Sequence, residues 1–197
     1  MCNRTLDDLM LTRDFNIVIL DDADDVLKLL REAFNTFFGN RVHLKTFSKD
    51  NSEFYKYIDR VNIDLFIVDM IIGNGLDGLE IAEKIINNKS GRVFLFISGH
   101  SGYDISTFSG LTGMCIYDFM AKPFSLDEFL SACVSLLNIS FTYDLIKKHD
   151  EENPSKKGMR QYYSRLLEKD KEMIKNLKYN VLPSSTNQVP AEKKIIF

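Results

Sequence analysis

The chain has 197 residues, 45% of them apolar and 12% aromatic, so it can build a sizeable core, and this composition excludes a wholly disordered chain. No apolar run approaches the roughly 20 residues that a membrane-spanning helix needs, the N-terminus lacks signal-peptide features, and three scattered cysteines favour reduced thiols in a cytoplasmic protein. The net charge of −3 combines an acidic part, residues 1–138, with a basic part, residues 139–197, so the two parts are predicted to differ in kind.

Short apolar runs recur along the acidic part of the chain. Residues 16–20 and 65–69 are typical of strands buried on both faces, and residues 42–47 alternate apolar and polar residues as a half-exposed strand does. In chain order, the five predicted strands are residues 16–20, 42–47, 65–69, 93–97 and 115–119.

Apolar residues at helical spacing separate these runs. The first three sets are Val26, Leu30, Ala33 and Phe37, then Phe54, Tyr55, Ile58 and Val61, then Leu79, Ala82, Ile85 and Ile86. Gly39 stands where a helix C-cap is expected. A capping box from Ser125 to Glu128 predicts a last helix, whose inward residues are Phe129, Cys133, Val134 and Leu137.

Five strands that alternate with helices predict an α/β fold with a doubly wound parallel sheet. In such sheets the functional crevice lies beyond the carboxyl ends of the strands, so the residues that directly follow each run are candidates for a site. These residues are Asp21, Asp22, Asp69, Ser98 and Lys122.

Three carboxylates brought together repel each other and need a cation. Mg²⁺ takes oxygen ligands and keeps several waters, so one or two carboxylates and a phosphate oxygen suit it. Lys122 adds a compact positive charge that suits a phosphoryl oxygen. Taken singly, Asp21 and Asp22 also fit acids at a helix N-terminus, and Ser98 and Lys122 also fit ordinary turns. The whole set in this order favours a site.

Four stretches resemble the receiver domains of two-component response regulators. They are VILDDADD, DLFIVDMIIGNGLDGLEIAEKI, VFLFISGH and YDFMAKPF, in that order along the chain. The resemblance covers residues 14–138 and implies a flavodoxin-like receiver fold with Mg²⁺ as cofactor.

By position, the resemblance implies that Asp69 is the phosphoacceptor. Asp22 would bind Mg²⁺ directly, Asp21 mostly through water, and the backbone carbonyl of Ile71 would complete the protein's share of the metal shell. Ile71 and His100 occupy positions where receiver domains tune hydrolysis of the phosphoryl group.

The resemblance also implies a switch. Ser98 would hydrogen-bond the acyl phosphate, Lys122 would pair with its oxygens, and Phe119 occupies the switch-aromatic position. The Lys122-Pro123 bond is expected to be cis. The chain departs from the family pattern in a loop after Asp69 that is one residue longer than usual, with a glycine where proline is frequent. Residues 101–113 are also poor in helix formers, and Phe119 lacks the hydroxyl of the commoner tyrosine.

The domain prediction is an N-terminal arm over residues 1–13, a receiver over 14–138, a helical extension over 139–180 and a disordered tail over 181–197. Within the extension, apolar residues from Met159 to Leu177 predict a second helix. A solvated helix and a dimer or partner helix are equally open readings of that stripe. No DNA-binding domain is evident.

These features predict a stand-alone response regulator, fed by a histidine kinase or phosphotransfer protein, that alters a binding surface for an output protein and has no membrane partner. It would catalyse only its own phosphorylation and dephosphorylation, and it could dimerise through the receiver or the C-terminal helix. A phosphorylation-independent interaction module is one alternative. An aspartate-nucleophile phosphatase is another, although such enzymes expect a second acid at the position of Ile71.

Overall fold

The strands and helices follow the predicted alternation. The structure, a computed structural model, describes residues 13–73, 76–88, 93–99 and 115–152. Its strands are β1 (Phe15–Leu20), β2 (Val42–Phe47), β3 (Leu65–Asp69), β4 (Ile71–Ile72), β5 (Leu76–Asp77), β6 (Val93–Ser98) and β7 (Ile116–Ala121). Its helices are α1 (Asp24–Phe38), α2 (Ser52–Arg60), α3 (Gly78–Asn88) and α4 (Leu126–Glu152), with a 3₁₀ turn at Gly39–Arg41.

Five strands form one parallel sheet in the order β2-β1-β3-β6-β7. Because β3 lies on the opposite side of β1 from β2, the chain reverses its winding direction at β1 and β3, and that reversal opens a crevice at the carboxyl ends of the strands. The predicted doubly wound parallel sheet is therefore confirmed.

The core lies on both faces of the sheet. On one face, α2 and α3 pack with alternate residues of β1, β3 and β6 in a cluster that includes Leu20, Phe66 and Phe96. Strand alternation puts the neighbouring residues on the other face, and β1, β3 and β6 are accordingly almost fully buried. There Phe34 of α1 meets Phe129 of α4 edge to face, with ring centroids 5.7 Å apart. Burial on both faces is what the continuous apolar runs predict.

The helix ends are fixed by local hydrogen bonds. Ser125 N–H donates to Glu128 Oε2 at 2.8 Å and Glu128 N–H donates to Ser125 Oγ at 3.2 Å, so the predicted capping box opens α4. Asn51 Oδ1 accepts hydrogen bonds from Glu53 and Phe54 N–H at the start of α2. At the end of α1, Gly39 has a φ of +58°, in the left-handed region that a C-terminal glycine supplies.

Some predicted burial is wrong in detail. Phe37 is 47% exposed, and Phe34 and Phe38 occupy the inward face of α1 in its place, because the buried stripe turns with the helix. Val134 is half-buried and lines a groove of about 420 Å³ beside Phe37.

Two element boundaries also differ from the prediction. Val61 lies just beyond the end of α2. The predicted loop after Asp69 contains a hairpin, β4 and β5.

Asp64 holds the chain where it enters the sheet. Its carboxylate is 2% exposed, contacts Arg13 at 2.6 Å and accepts a hydrogen bond from Asn16 N–H at 2.8 Å. Asp64 N–H donates in turn to Asn16 O at 2.8 Å. These bonds satisfy a carboxylate that the neighbouring apolar strand would otherwise leave buried and unpaired.

Two compact units divide the chain, with the division between Leu137 and Asn138 inside α4. The first unit contains the sheet, and the second contributes the helical residues 138–152 to the described part. The predicted second helix and tail, from residue 155 onward, lie outside the described residues, as do residues 100–114. No helix within the described ranges is long and apolar enough to cross a membrane.

Candidate phosphoacceptor site

The candidate residues meet at the carboxyl ends of four strands. Asp21 and Asp22 follow β1, Asp69 ends β3, Ser98 ends β6, and Lys122 follows β7. The register pairs Asp69 with Ile97 and Ser98 with Ala121, so these three strands end within one residue of one another.

The three carboxylates form one cluster. Asp21, Asp22 and Asp69 each offer a carboxylate oxygen, and the three oxygens lie within 4.8 Å of one another. Asp21 is buried and accepts a hydrogen bond from Ala23 N–H at 2.8 Å, whereas Asp22 is exposed. Burial raises the pKa of Asp21 and the Asp69 charge adds to the rise, while the Ala23 bond and the Lys122 ammonium oppose it. Burial therefore disfavours the charged form of Asp21, and a cation beside this carboxylate would favour it.

Lys122 bridges two of the acids. Its Nζ lies 3.2 Å from Asp69 Oδ2 and 3.3 Å from Asp21 Oδ2, and its side chain is 13% exposed. Its backbone N–H donates to Ser98 O at 2.7 Å, which ties the ends of β6 and β7 together. The Lys122-Pro123 peptide bond is cis.

The predicted switch residues, Ser98 and Phe119, lie on β6 and β7. Ser98 is 1% exposed at the end of β6. Phe119 is half-buried, stands opposite Phe96 in the register of β6 and β7, and packs against the core cluster of α2 and α3. His100 lies outside the described residues.

The donor set fits Mg²⁺, which prefers oxygen ligands and is bound through one or two carboxylates with waters and phosphate oxygens completing its shell. Asp21, Asp22 and Asp69 present three such oxygens within 4.8 Å. Ile71, whose carbonyl is the expected fourth ligand, is two residues beyond Asp69, and its N–H lies 3.5 Å from Asp69 Oδ1.

Two contacts at this site were not predicted from the sequence. Gly73 N–H donates to Asp22 Oδ2 at 2.8 Å, linking the β4–β5 hairpin to the acidic cluster. Gly78 opens α3 directly against the backbone of Asp69, since a Cβ at this position would lie 2.4 Å from Asp69 O. A glycine in the first turn of a predicted helix, where it costs stability, was a usable signal of close backbone approach.

The family model for the response regulator receiver domain matches residues 17–134, more than half of the chain. The Regulatory protein VirG of Agrobacterium tumefaciens (strain 15955) is 31% identical over 114 residues, which are 58% of this chain and 40% of that protein. The chain thus spans less than half the length of the curated relative that it matches.

Solved structures show the same fold. Full-length FixJ from B. japonicum is 20% identical, with a TM-score of 0.53 and coverage of 66% of this chain and 60% of FixJ. A response regulator receiver domain protein from Clostridium thermocellum is 17% identical, with a TM-score of 0.53 and coverage of 67% and 98% respectively. The chain therefore belongs to the response regulator receiver domain family, whose members are phosphorylated by histidine kinases in two-component signalling and bind Mg²⁺ at an acidic site.

Proposed function

We propose that this chain is a phosphorylation-controlled signalling switch that accepts a phosphoryl group on Asp69 from a histidine kinase or phosphotransfer protein. The observation that carries the proposal is the position of Lys122 Nζ, 3.2 Å from Asp69 Oδ2 beside two further carboxylates. An acceptor carboxylate needs a cationic group at this distance, because the incoming phosphoryl group is itself negative.

The positive charge of Lys122 alone does not balance the negative charge of the three carboxylates. Three carboxylates face one ammonium, so the cluster alone would repel a phosphoryl donor. Mg²⁺ held by Asp21, Asp22, Asp69 and the Ile71 carbonyl would supply the missing positive charge and neutralise the oxygens of the transferred group.

The transfer itself is a displacement at phosphorus. An Asp69 carboxylate oxygen forms the new O–P bond in line with the breaking N–P bond of the donor's phosphohistidine. The donor nitrogen keeps the electron pair of that bond, and the imidazole then takes up a proton from solvent. Lys122 pairs with the phosphoryl oxygens, so the protein contributes positioning and charge neutralisation to a loose transition state.

The phosphoryl group carries a charge of about −1.5 to −2, and it replaces the single negative charge of the Asp69 carboxylate, so phosphorylation adds roughly one negative charge at the site. The Ser98 hydroxyl then donates a hydrogen bond to the new group, and Phe119 turns inward into the space released. The bond from Lys122 N–H to Ser98 O makes the ends of β6 and β7 move as one unit. The consequence is a two-state change in the surface beside these strands, which an output protein reads.

We place the receiver at residues 14–138 and assign residues 139–180 to a helical extension that provides a partner or self-association surface. The described residues 138–152 are helical, which supports this assignment. Action as a stand-alone regulator, through protein contacts, follows the sequence expectation and stays a prediction.

Mass spectrometry of the intact full chain tests the acceptor. Incubation with Mg²⁺ and a small acyl-phosphate donor should give one phosphoryl adduct, lost in Asp69→Asn and on chelation of the metal. Asp59→Asn, at an exposed aspartate of α2, is the matched control and should retain the adduct.

An adduct that persists in Asp69→Asn would refute the acceptor assignment. A wild-type chain without any adduct would favour a phosphorylation-independent interaction module, and steady turnover of a phosphate ester would favour a phosphatase.

A further inference from the structure

The hairpin that follows Asp69 is closed at its base by a backbone hydrogen bond and is bound to the acidic cluster through Gly73. Ile71 pairs with Asp77 and Ile72 with Leu76, and residues 73–75 connect the two strands. At the base, Gly78 N–H donates to Met70 O at 2.9 Å. At the tip, Gly73 N–H donates to Asp22 Oδ2 at 2.8 Å, across 51 residues of sequence.

Asp22 depends on that contact for its orientation. Asp21 is buried and fixed by Ala23 N–H and Lys122, and Asp69 is fixed by Lys122. Asp22 is exposed, and an exposed aspartate exchanges between rotamers unless a partner holds it. Within the described residues, the hydrogen bond that the structure gives Asp22 comes from Gly73.

We propose that Gly73 is a positioning residue of the cation site: its N–H holds one oxygen of Asp22 and thereby turns the carboxylate toward Asp21 and Asp69. Gly73 has a φ of +59°, so it adopts the left-handed conformation that glycine favours at the hairpin tip. The bond pairs an N–H with a carboxylate, which makes it one of the stronger kinds of hydrogen bond.

Cation binding and the hydrogen bond from Gly73 to Asp22 are then coupled. A cation that binds the oriented carboxylate favours this hydrogen bond, and by reciprocity the hydrogen bond raises the affinity for the cation. The inference rests on the proposed cation site, and the test separates failure of the one from failure of the other.

The experiment is a titration of the full chain with Mg²⁺ alone. Calorimetry measures the affinity for Mg²⁺, and hydrogen exchange measures the protection of the Gly73 amide. Gly73→Pro removes the N–H and excludes a positive φ, and should weaken Mg²⁺ binding roughly tenfold, the lower end of the loss seen when a partner that orients a metal ligand is removed. Gly73→Asn is the matched control, because asparagine keeps the N–H and tolerates the left-handed region, so its affinity should stay within about twofold of wild type.

In the wild type, saturating Mg²⁺ should slow exchange of the Gly73 amide, a change that a merely structural hairpin would not show. Wild-type affinity in Gly73→Pro, or a Gly73 exchange rate that Mg²⁺ leaves unchanged, overturns the inference while the cation site stands. Wild-type affinity in Asp22→Ala overturns both, because Asp22 is the ligand that Gly73 is proposed to hold. If Gly73→Pro fails to fold, the exchange measurement on the wild type decides alone.

Discussion

Replacement of Gly78 by alanine should disturb Asp69, the proposed phosphoacceptor, without removing any functional group. The new Cβ would lie 2.4 Å from Asp69 O and 3.1 Å from Val68 Cγ1, whereas real Cβ contacts essentially never fall below 3.0 Å. The end of β3 and the start of α3 must therefore separate by about 0.6 Å, the difference between 3.0 Å and 2.4 Å. The nearest atom is backbone, so rotation of a side chain cannot relieve the contact.

Two energies oppose each other in Gly78→Ala. Overpacking of a close contact costs about 1–3 kcal/mol. Alanine recovers at most about 1 kcal/mol of helix propensity, and less at the first residue of a helix. The net loss in the free energy of unfolding should be about 1–2 kcal/mol. A 1 Å misplacement of a reacting group can cost roughly 100-fold in rate, so a smaller displacement of Asp69 should slow its phosphorylation about tenfold.

Urea denaturation gives the free energy of unfolding, and the rate of adduct formation with an acyl-phosphate donor gives the chemistry. Gly99→Ala is the control, because a Cβ there has no atom of the described residues within 4 Å, although Gly99 directly follows Ser98. Its stability should stay within about 0.5 kcal/mol of wild type. An unchanged phosphorylation rate in Gly78→Ala would refute the idea that this glycine positions the acceptor, whatever happens to stability.

Two further predictions concern buried groups. Asp64→Ala should lower the free energy of unfolding by about 2–3 kcal/mol in denaturant titration, below the 3–5 kcal/mol of a fully buried pair because the Arg13 side chain is 29% exposed. Asp14→Ala, which breaks the exposed ion pair with Arg41, should lower the free energy of unfolding by less than about 0.5 kcal/mol. Equal losses in the two variants would contradict the larger contribution expected from the buried Asp64. Burial raises the pKa of Cys115 to about 12 and that of Cys133 well above its usual value, which keeps both thiols neutral and unreactive at pH 8. With Cys2 replaced by serine, a disulfide reagent should therefore react with these thiols at pH 8 only after the protein is denatured. Rapid reaction of the folded protein would contradict this prediction.

Much of the fold was predictable because it depends on the period of apolar residues. The runs at β1, β3 and β6 are buried on both faces, so almost every residue in them is apolar and the signal is strong. The capping box at Ser125 was predictable for a similar reason, since its two reciprocal hydrogen bonds need particular side chains at a fixed spacing.

Contacts that pair backbone with distant groups were less predictable. The bond from Gly73 to Asp22 uses a backbone N–H, which every residue except proline carries, so the sequence does not indicate which amide donates to Asp22. The exposure of Phe37 depends on how far the buried stripe of α1 drifts over four turns. Asp64 was different: an acid beside an apolar strand needs a partner, and that signal was available in the sequence.

The bonds at Asp64 also constrain the order in which the chain can fold during synthesis. Strand β1 pairs with β2 and β3, and its first residues are bound by Asp64, so its partners are all made later by the ribosome. Strand β1 therefore waits through the synthesis of about 27 further residues for β2 and of about 50 for β3 and Asp64. Since segments leave the ribosome N-terminal first, this interval exposes an apolar strand that chaperones for nascent apolar chain should bind.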